Sequence, residues 1–142
     1  HADVLDGGEG DDYLDGGNHT DMLYGGDGND TLDGGLQRDT LNGGAGDDYL
    51  IGGKQNDVFE FTDLGDVDEI ADFDRGRDSI DVSGLGVSDW IGSNTFSGSA
   101  GEIRAFKSGG GYFVEGDVDG DGAADFTIIT NVLVHQSDFI FA

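Results

Sequence analysis

GGEGDDYLD (Gly7–Asp15), GGNHTDMLY (Gly16–Tyr24), GGDGNDTLD (Gly25–Asp33), GGLQRDTLN (Gly34–Asn42), GGAGDDYLI (Gly43–Ile51) and GGKQNDVFE (Gly52–Glu60) follow one another without a gap. Each of these six nonapeptides carries two glycines, an aspartate at its sixth place and a large apolar residue at its eighth. The preceding Asp3-Val4-Leu5-Asp6 has the pattern of the last four residues of one more copy. So strict an internal period specifies a solenoid, in which each unit stacks on its neighbours.

Two adjacent glycines suit a left-handed or otherwise tight backbone, so each unit is expected to open with a turn. The last three residues alternate x-apolar-x, the pattern of a short strand with one buried face. The buried series is Leu5, Leu14, Leu23, Leu32, Leu41, Leu50 and Phe59. Two turns and two strands make one coil of eighteen residues. Stacked coils predict an all-β fold, a parallel β-roll (a flattened β-helix) with two sheets on a thin leucine core.

The sixth-place aspartates are Asp12, Asp21, Asp30, Asp39, Asp48 and Asp57, with Asp3 from the partial copy. Stacking at about 4.8 Å turns them into ladders. Two carboxylates about 5 Å apart repel by roughly 3 kcal/mol at an effective dielectric of 20. A hard divalent cation between them reverses that sign. Calcium takes about 6–8 oxygen ligands from carboxylates and backbone carbonyls, and glycine turns expose such carbonyls; magnesium demands a stricter octahedron and keeps its water. The pattern therefore predicts several calcium ions, about four or more, one between facing aspartates. The ligand candidates are Gly7, Gly8, Gly10, Asp12, Gly16, Asp21, Gly25, Gly26, Gly28, Asp30, Gly34, Asp39, Gly43, Gly44, Gly46, Asp48, Asp57 and Asp3.

The charge agrees with this reading. Six Lys and Arg stand against 31 Asp and Glu, a formal charge of -25 on 142 residues with 28 glycines. Such a chain has the charge and hydropathy of a disordered segment until a cation neutralises it. Metal binding then supplies folding free energy. At about 1 mM ion and a dissociation constant of about 10 µM, each site adds about 2.7 kcal/mol, and at sub-micromolar ion almost nothing. The expectation is a chain unfolded in cytosol and folded outside the cell. With no cysteine there is neither disulfide nor thiolate site. No apolar run is long enough to cross a membrane and no signal peptide is visible. The acidic balance argues against nucleic acid and anionic membranes as partners. The chain opens on His1 rather than Met, so it reads as one continuous module of a larger protein.

The fourth place of the unit alternates. Units one, three and five have Gly10, Gly28 and Gly46; units two, four and six have His19, Gln37 and Gln55. Alternate units fall on opposite sides of the coil, so one side carries full GGxGxD loops and the other a degenerate form. Histidine enters left-handed backbone more readily than most residues; glutamine does not. Weaker calcium binding is expected on the degenerate side. Eighteen residues beyond Asp48 lies Asp66, which would close a third site on the full side. His19, Arg38 and Lys54 would line the degenerate side, either as a polar strip for an anionic chain or as local charge balance.

After Phe61 the period stops. DEIADF, SIDVSGL, EIRAF, YFVEGDV, ADFTIIT and SDFIFA read as short strands. A solenoid end exposes apolar core and strand edges, so residues 61–142 are expected to cap the roll of residues 1–60, with their aromatics as core. DVDGDGAAD places Asp117, Asp119, Asp121, Gly122 and Asp125 at EF-hand spacing, but Ile128 replaces the final glutamate and the flanks are strand-like. Either a calcium-tightened hairpin or a bare acidic turn fits.

These residues resemble the RTX (repeats-in-toxin) proteins. NDVFEF, DEIADFDRGRDSIDVSGLG, DVDGDGAADFTI and SDFIFA extend the resemblance to the carboxy-terminal domain of serralysin-type secreted metalloproteases; similar domains end alginate epimerases and lipases. The resemblance implies a calcium-loaded β-roll with a β-strand cap that carries an uncleaved signal for type I (ABC transporter) export from a bacterium. The acidic residue followed by apolar ones that ends that signal matches Asp138, Phe139, Ile140 and Phe141, although Ala142 follows. HExxH is absent, and the only histidines are His1, His19 and His135, so no catalyst is expected in this chain. The leading expectation is a secretion and folding module beside an upstream catalytic domain or further repeats. An accessory module binding an acidic polysaccharide (polyuronate) is the alternative. An adhesin spacer fits the cap less well.

Overall fold

Alternation along each unit puts one apolar side chain inward per strand, and stacking those side chains builds the core. The computed structural model describes residues 1–142. Its strands are β1 (Val4–Glu9), β2 (Tyr13–Asp15), β3 (Met22–Asp27), β4 (Thr31–Asp33), β5 (Thr40–Ala45), β6 (Tyr49–Ile51), β7 (Val58–Glu60), β8 (Val67–Ile70), β9 (Ser79–Asp81), β10 (Asp89–Trp90), β11 (Glu102–Ser108), β12 (Gly111–Asp117), β13 (Phe126–Thr130) and β14 (Phe139–Ile140). A single 3-10 turn spans Gln136–Asp138.

The strands lie in two facing sheets. One has the order β1-β3-β5-β7-β9-β14, the other β10-β11-β12-β13-β8-β6-β4-β2. The first is parallel throughout, with Leu5, Leu23, Leu41, Phe59, Ile80 and Phe139 in one row. In the second, Leu14, Leu32, Leu50 and Ile70 make the facing row. Leu23, Leu32, Leu41, Leu50 and Phe59 are 0% exposed. Each such burial stabilises by roughly 1.5–3 kcal/mol. The expected β-roll is therefore present, with its leucine core where the eighth place of the unit put it.

Three expectations need correction. The glycine pair does not always open a turn: in β1, β3 and β5 the strand continues through it, pairing Gly8 with Gly26 and Gly26 with Gly44. Glycine's backbone accommodates a positive φ there without breaking the ladder. Next, the nonapeptide period stops at Glu60 but the coil does not, because β8 stacks on β6 and β9 on β7. The contacts there join residues 20 and 21 apart instead of 18, so longer turns hide the repeat. Finally, the aromatics divide. Phe59, Phe61, Phe73, Phe126 and Phe139 are core, and Trp90 packs against them. Phe96, Phe106 and Phe113 lie outside that core, with Phe106 stacked on Phe113 at 5.6 Å and Arg104 over Phe96 and Phe106.

The cap proper is the antiparallel run β11-β12-β13, which joins the roll through a parallel pairing of β13 with β8. It continues one sheet of the roll, so cap and repeats share a single hydrophobic cluster.

Candidate metal centre

Each inward aspartate ties two coils together through one oxygen. On the full-loop edge, Asp30 Oδ1 accepts the Asp12 N–H at 2.8 Å and Asp48 Oδ1 accepts the Asp30 N–H at 2.8 Å. On the degenerate edge, Asp21, Asp39 and Asp57 accept the N–H groups of Asp3, Asp21 and Asp39 at 2.7, 2.8 and 2.9 Å. Asp21, Asp30, Asp39, Asp48 and Asp57 are all buried. A second ladder runs outside the first in the opposite sense, with Asp11 Oδ1 accepting from Asn29 N–H and Asn29 Oδ1 from Asp47 N–H.

The other oxygen has no protein partner. Oδ2 of Asp12, Asp21, Asp30, Asp39 and Asp48 is buried and unbonded. A buried carboxylate oxygen left without a donor or cation is costly. The space beside it is kept open by the first glycine of the loop. A methyl group on Gly7 would come within 2.8 Å of Asp12 Oδ2 and 2.6 Å of the Gly25 carbonyl oxygen. On the degenerate edge a methyl on Gly34 would meet Asp39 Oδ2 and the Gly52 carbonyl oxygen, each at 2.9 Å. Carboxylate and carbonyl oxygens thus converge where a side chain is excluded. Such an all-oxygen, anionic donor set fits calcium.

Burial and like charge raise the acidities in step. Burial, then the neighbouring carboxylates, lifts Asp39 and Asp48 to about 6. Asp57 and Asp68 rise to about 7 for the same reasons. A cation in the ladder would oppose this shift by favouring the charged form.

Asp66 is not the next rung. Asp68 is: its Oδ1 accepts the Asp48 N–H at 3.0 Å, whereas Asp66 Oδ2 accepts the Gly46 N–H at 3.2 Å. The two extra residues fall between Glu60 and Asp66, where Asn42 Nδ2 reaches both Glu60 and Thr62. Beside this rung Asp63 holds another buried, unbonded Oδ2, and burial together with Asp66 raises it to about 6. On the opposite edge Asp78 continues the ladder, accepting the Asp57 N–H at 3.0 Å, and Asp72 takes the Gly52 and Gly53 N–H groups. Asp63, Asp68, Asp72 and Asp78 are site residues that the nonapeptide pattern does not mark. Their only sequence signal is a run of aspartates after the period has ended.

The two edges differ as the fourth place suggested. His19, Gln37 and Gln55 stand at φ 94, 83 and 88° where Gly10, Gly28 and Gly46 stand opposite, so glutamine does occupy the left-handed turn. Asn18, Leu36 and Lys54 form successive parallel bridges, and His19 Nδ1 lies 3.5 Å from Gln37 Nε2. The outward residues of these loops are Asn18, His19, Thr20, Leu36, Gln37, Arg38, Lys54, Gln55 and Asn56, without a carboxylate. Their counterparts opposite include Glu9, Asp11, Asp27 and Asp47, without a cation.

In the cap, Asp117, Asp119 and Asp125 bring carboxylate oxygens within 4.8 Å of one another, and Asp121 stands outside the trio. Asp117 is fully buried but satisfied, accepting the Gly120 and Gly122 N–H groups at 2.7 and 2.9 Å. The end of the chain is folded in. Asp138 is buried and holds Arg75 at 3.4 Å, Phe139 lies 5.3 Å from Trp90, and Phe139–Ile140 pairs with β9.

The repeat and the fold recur in known proteins. The family model described as RTX calcium-binding nonapeptide repeat (4 copies) matches residues 1–32 and 24–59. Among solved structures, the R3 subunit of the Azotobacter vinelandii mannuronan C5-epimerase AlgE6 is 31% identical, with a TM-score of 0.73 over 96% of this chain and 81% of that one. The R2 subunit of the same enzyme is 28% identical, with a TM-score of 0.75 over 100% of this chain and 93% of that one. Comparison with curated protein sequences gives no match. Repeat, roll and ladder, together with a solved relative 31% identical and similar in fold over nearly the whole chain, make this protein a member of the RTX family of calcium-binding nonapeptide-repeat modules.

Proposed function

We propose that this calcium-binding module is a folding switch carried by a secreted bacterial enzyme, and that its ladder aspartates and glycine carbonyls are the ligands. The observation that carries the reading is the set of buried, unbonded Oδ2 atoms on Asp12, Asp21, Asp30, Asp39 and Asp48. One ion beside each would give about five, with Asp3, Asp57, Asp63, Asp66, Asp68 and Asp78 extending the ladders. Calcium supplies charge neutralisation when bound; the chain's own part is to hold the oxygens in register and to keep side chains out through Gly7, Gly16, Gly25, Gly34, Gly43 and Gly52. Gly8, Gly26 and Gly44 provide the backbone bend, and Gly10, Gly28 and Gly46 the full-loop turn. Asp117, Asp119, Asp121 and Asp125 fit a self-satisfied acidic turn, because the buried Asp117 already spends its oxygens on backbone amides.

Circular dichroism during a calcium titration, with magnesium as control, tests this. The expected outcome is little ordered β-signal in chelator, a cooperative gain with calcium and none with equimolar magnesium. A chain fully folded in chelator at neutral pH would refute it. Residues 61–142 would then serve as cap and as signal for a type I exporter, ending in Asp138, Phe139, Ile140 and Phe141. Fusing residues 68–142 to a passenger checks that role, and a passenger retained by cells bearing the exporter counts against it.

A second reading, that the module also holds an acidic polysaccharide for a neighbouring catalytic domain, is favoured by the relatives. Both are subunits of a mannuronan epimerase.

A further inference from the structure

We propose that Asn42–Gly43 is a self-modification site: Asn42 deamidates when the roll is open, and the folded roll holds the reaction shut. On the calcium-switch reading above, on which this rests, the roll opens when calcium is withdrawn.

The chemistry needs only water. The main-chain nitrogen of Gly43, deprotonated by hydroxide, attacks Cγ of Asn42. The new C–N bond closes a five-membered succinimide, the Cγ–Nδ2 bond breaks, and Nδ2 takes up a proton and leaves as ammonia. Water then opens the ring at one carbonyl to give aspartate, or at the other to give isoaspartate. Nothing is oxidised or reduced.

The sequence singles out this asparagine. Of six asparagines only Asn42 precedes glycine; the others precede His19, Asp30, Asp57, Thr95 and Val132. A Cβ on the following residue hinders ring closure, and glycine has none. Asp6, Asp15, Asp27, Asp33, Asp119 and Asp121 also precede glycine, but an ionised carboxylate has no comparable leaving group at neutral pH.

In the fold the attack is blocked. β5 runs through both residues, with Tyr24 opposite Asn42 and Gly26 opposite Gly44. Extended backbone carries the Gly43 nitrogen away from the side chain before it. Asn42 Nδ2 meanwhile donates to Glu60 Oε2 at 3.4 Å and Thr62 Oγ1 at 3.3 Å, which holds the carboxamide toward the next coil. Gly43 is buried. Reaction from the folded chain therefore requires local opening of β5; the unfolded chain requires none.

Both products damage the roll. Aspartate at this place sets a carboxylate where an amide donated to Glu60, in an outward row that also holds Asp6 and Asp81. Like charges opposite one another destabilise a sheet. Isoaspartate lengthens the main chain by one atom between Leu41 and Gly43. Leu41 can then no longer face Leu23 while Gly44 faces Gly26, and Asp48 is displaced from the Asp30 amide. A chain kept without calcium thus loses, with time, its capacity to answer it.

The test is peptide mass spectrometry, with isoaspartate located by fragmentation, on protein aged in calcium, in chelator, and in chelator with urea. Dichroism is recorded on each sample. Amide-to-acid conversion at residue 42 should run more than about tenfold faster in chelator and in urea than in calcium. Chelator-aged protein should regain less β-structure when calcium is added. Asn42→Gln, whose longer side chain cyclises far more slowly, should age in chelator and keep its response. Equally fast conversion in β-rich, calcium-loaded protein, conversion in urea centred on another residue, or an Asn42→Gln response lost as fast as wild type would overturn the proposal. β-rich dichroism in chelator, with conversion slow there and fast in urea, would refute the calcium switch and uphold protection of Asn42 by the fold.

Discussion

At Asp39 one carboxylate oxygen accepts the Asp21 amide and the other faces the Gly34 cradle with no protein partner. The two oxygens have separate duties, so substitutions should separate them. Asp39→Asn keeps an acceptor for the amide but halves the anionic character of the site; the calcium midpoint should rise several-fold while the calcium-saturated spectrum stays β-rich. Gly34→Ala should be worse than Gly8→Ala. A methyl on Gly34 collides with Asp39 and the Gly52 carbonyl, whereas one on Gly8 meets open space and adds only the left-handed penalty, about 1–2 kcal/mol. Calcium titrations of both variants check the order. Conversely, Gln37→Gly should be nearly neutral for folding, because relief of the turn is offset by about 0.4–1 kcal/mol of added unfolded-state entropy.

Among the elements, the strands of the repeats were legible and the turns between them were legible only in part. Leu32 and Leu41 announce themselves by period, and both are fully buried. Leu32→Ala should cost about 2–5 kcal/mol, measured by chemical denaturation in saturating calcium. Continuation of β1, β3 and β5 through their glycine pairs was not legible, since a glycine pair signals backbone freedom without saying whether pairing continues. The rungs Asp68 and Asp78 were hidden for another reason. A ladder needs its residues opposite one another in space, and turns lengthened by a few residues preserve that while erasing the period. An offset of eighteen from Asp48 leads to Asp66, whereas the ladder steps twenty residues to Asp68. Asp68→Asn should therefore raise the calcium midpoint more than Asp66→Asn does, which the same titration reads. The non-core placement of Phe96, Phe106 and Phe113 was equally hidden, because stacking beneath Arg104 leaves no mark on hydropathy.

For the whole molecule, acid and calcium are alternative ways of discharging one set of buried carboxylates. Asp39 and Asp48 titrate near 6 in the folded chain and Asp57 and Asp68 near 7, against 3.8 for an ordinary aspartate. Folded-state values above the unfolded one stabilise the metal-free fold fully below pH 3.8 and lose that contribution as pH rises through 6 to 7. In chelator, β-structure should therefore increase on acidification from pH 8 to pH 4. With calcium present the dependence inverts, since protons compete for its ligands, and the midpoint concentration should rise as pH falls through the same window.

The constant offset of the repeats also has a kinetic consequence. Among the six repeats every new strand pairs with a residue 18 places back, as Leu23 does with Leu5, so each coil closes a short loop of unchanging length. Attaching the cap is a different event: Thr127 finds Val67, and Phe139 finds Ile80, each about three times farther along the chain. The additional closure entropy is about 1 kcal/mol. Calcium-jump refolding should accordingly show a fast phase for the repeats and a phase several-fold slower for docking of β13 and β14, reported by Trp90 fluorescence through its contact with Phe139.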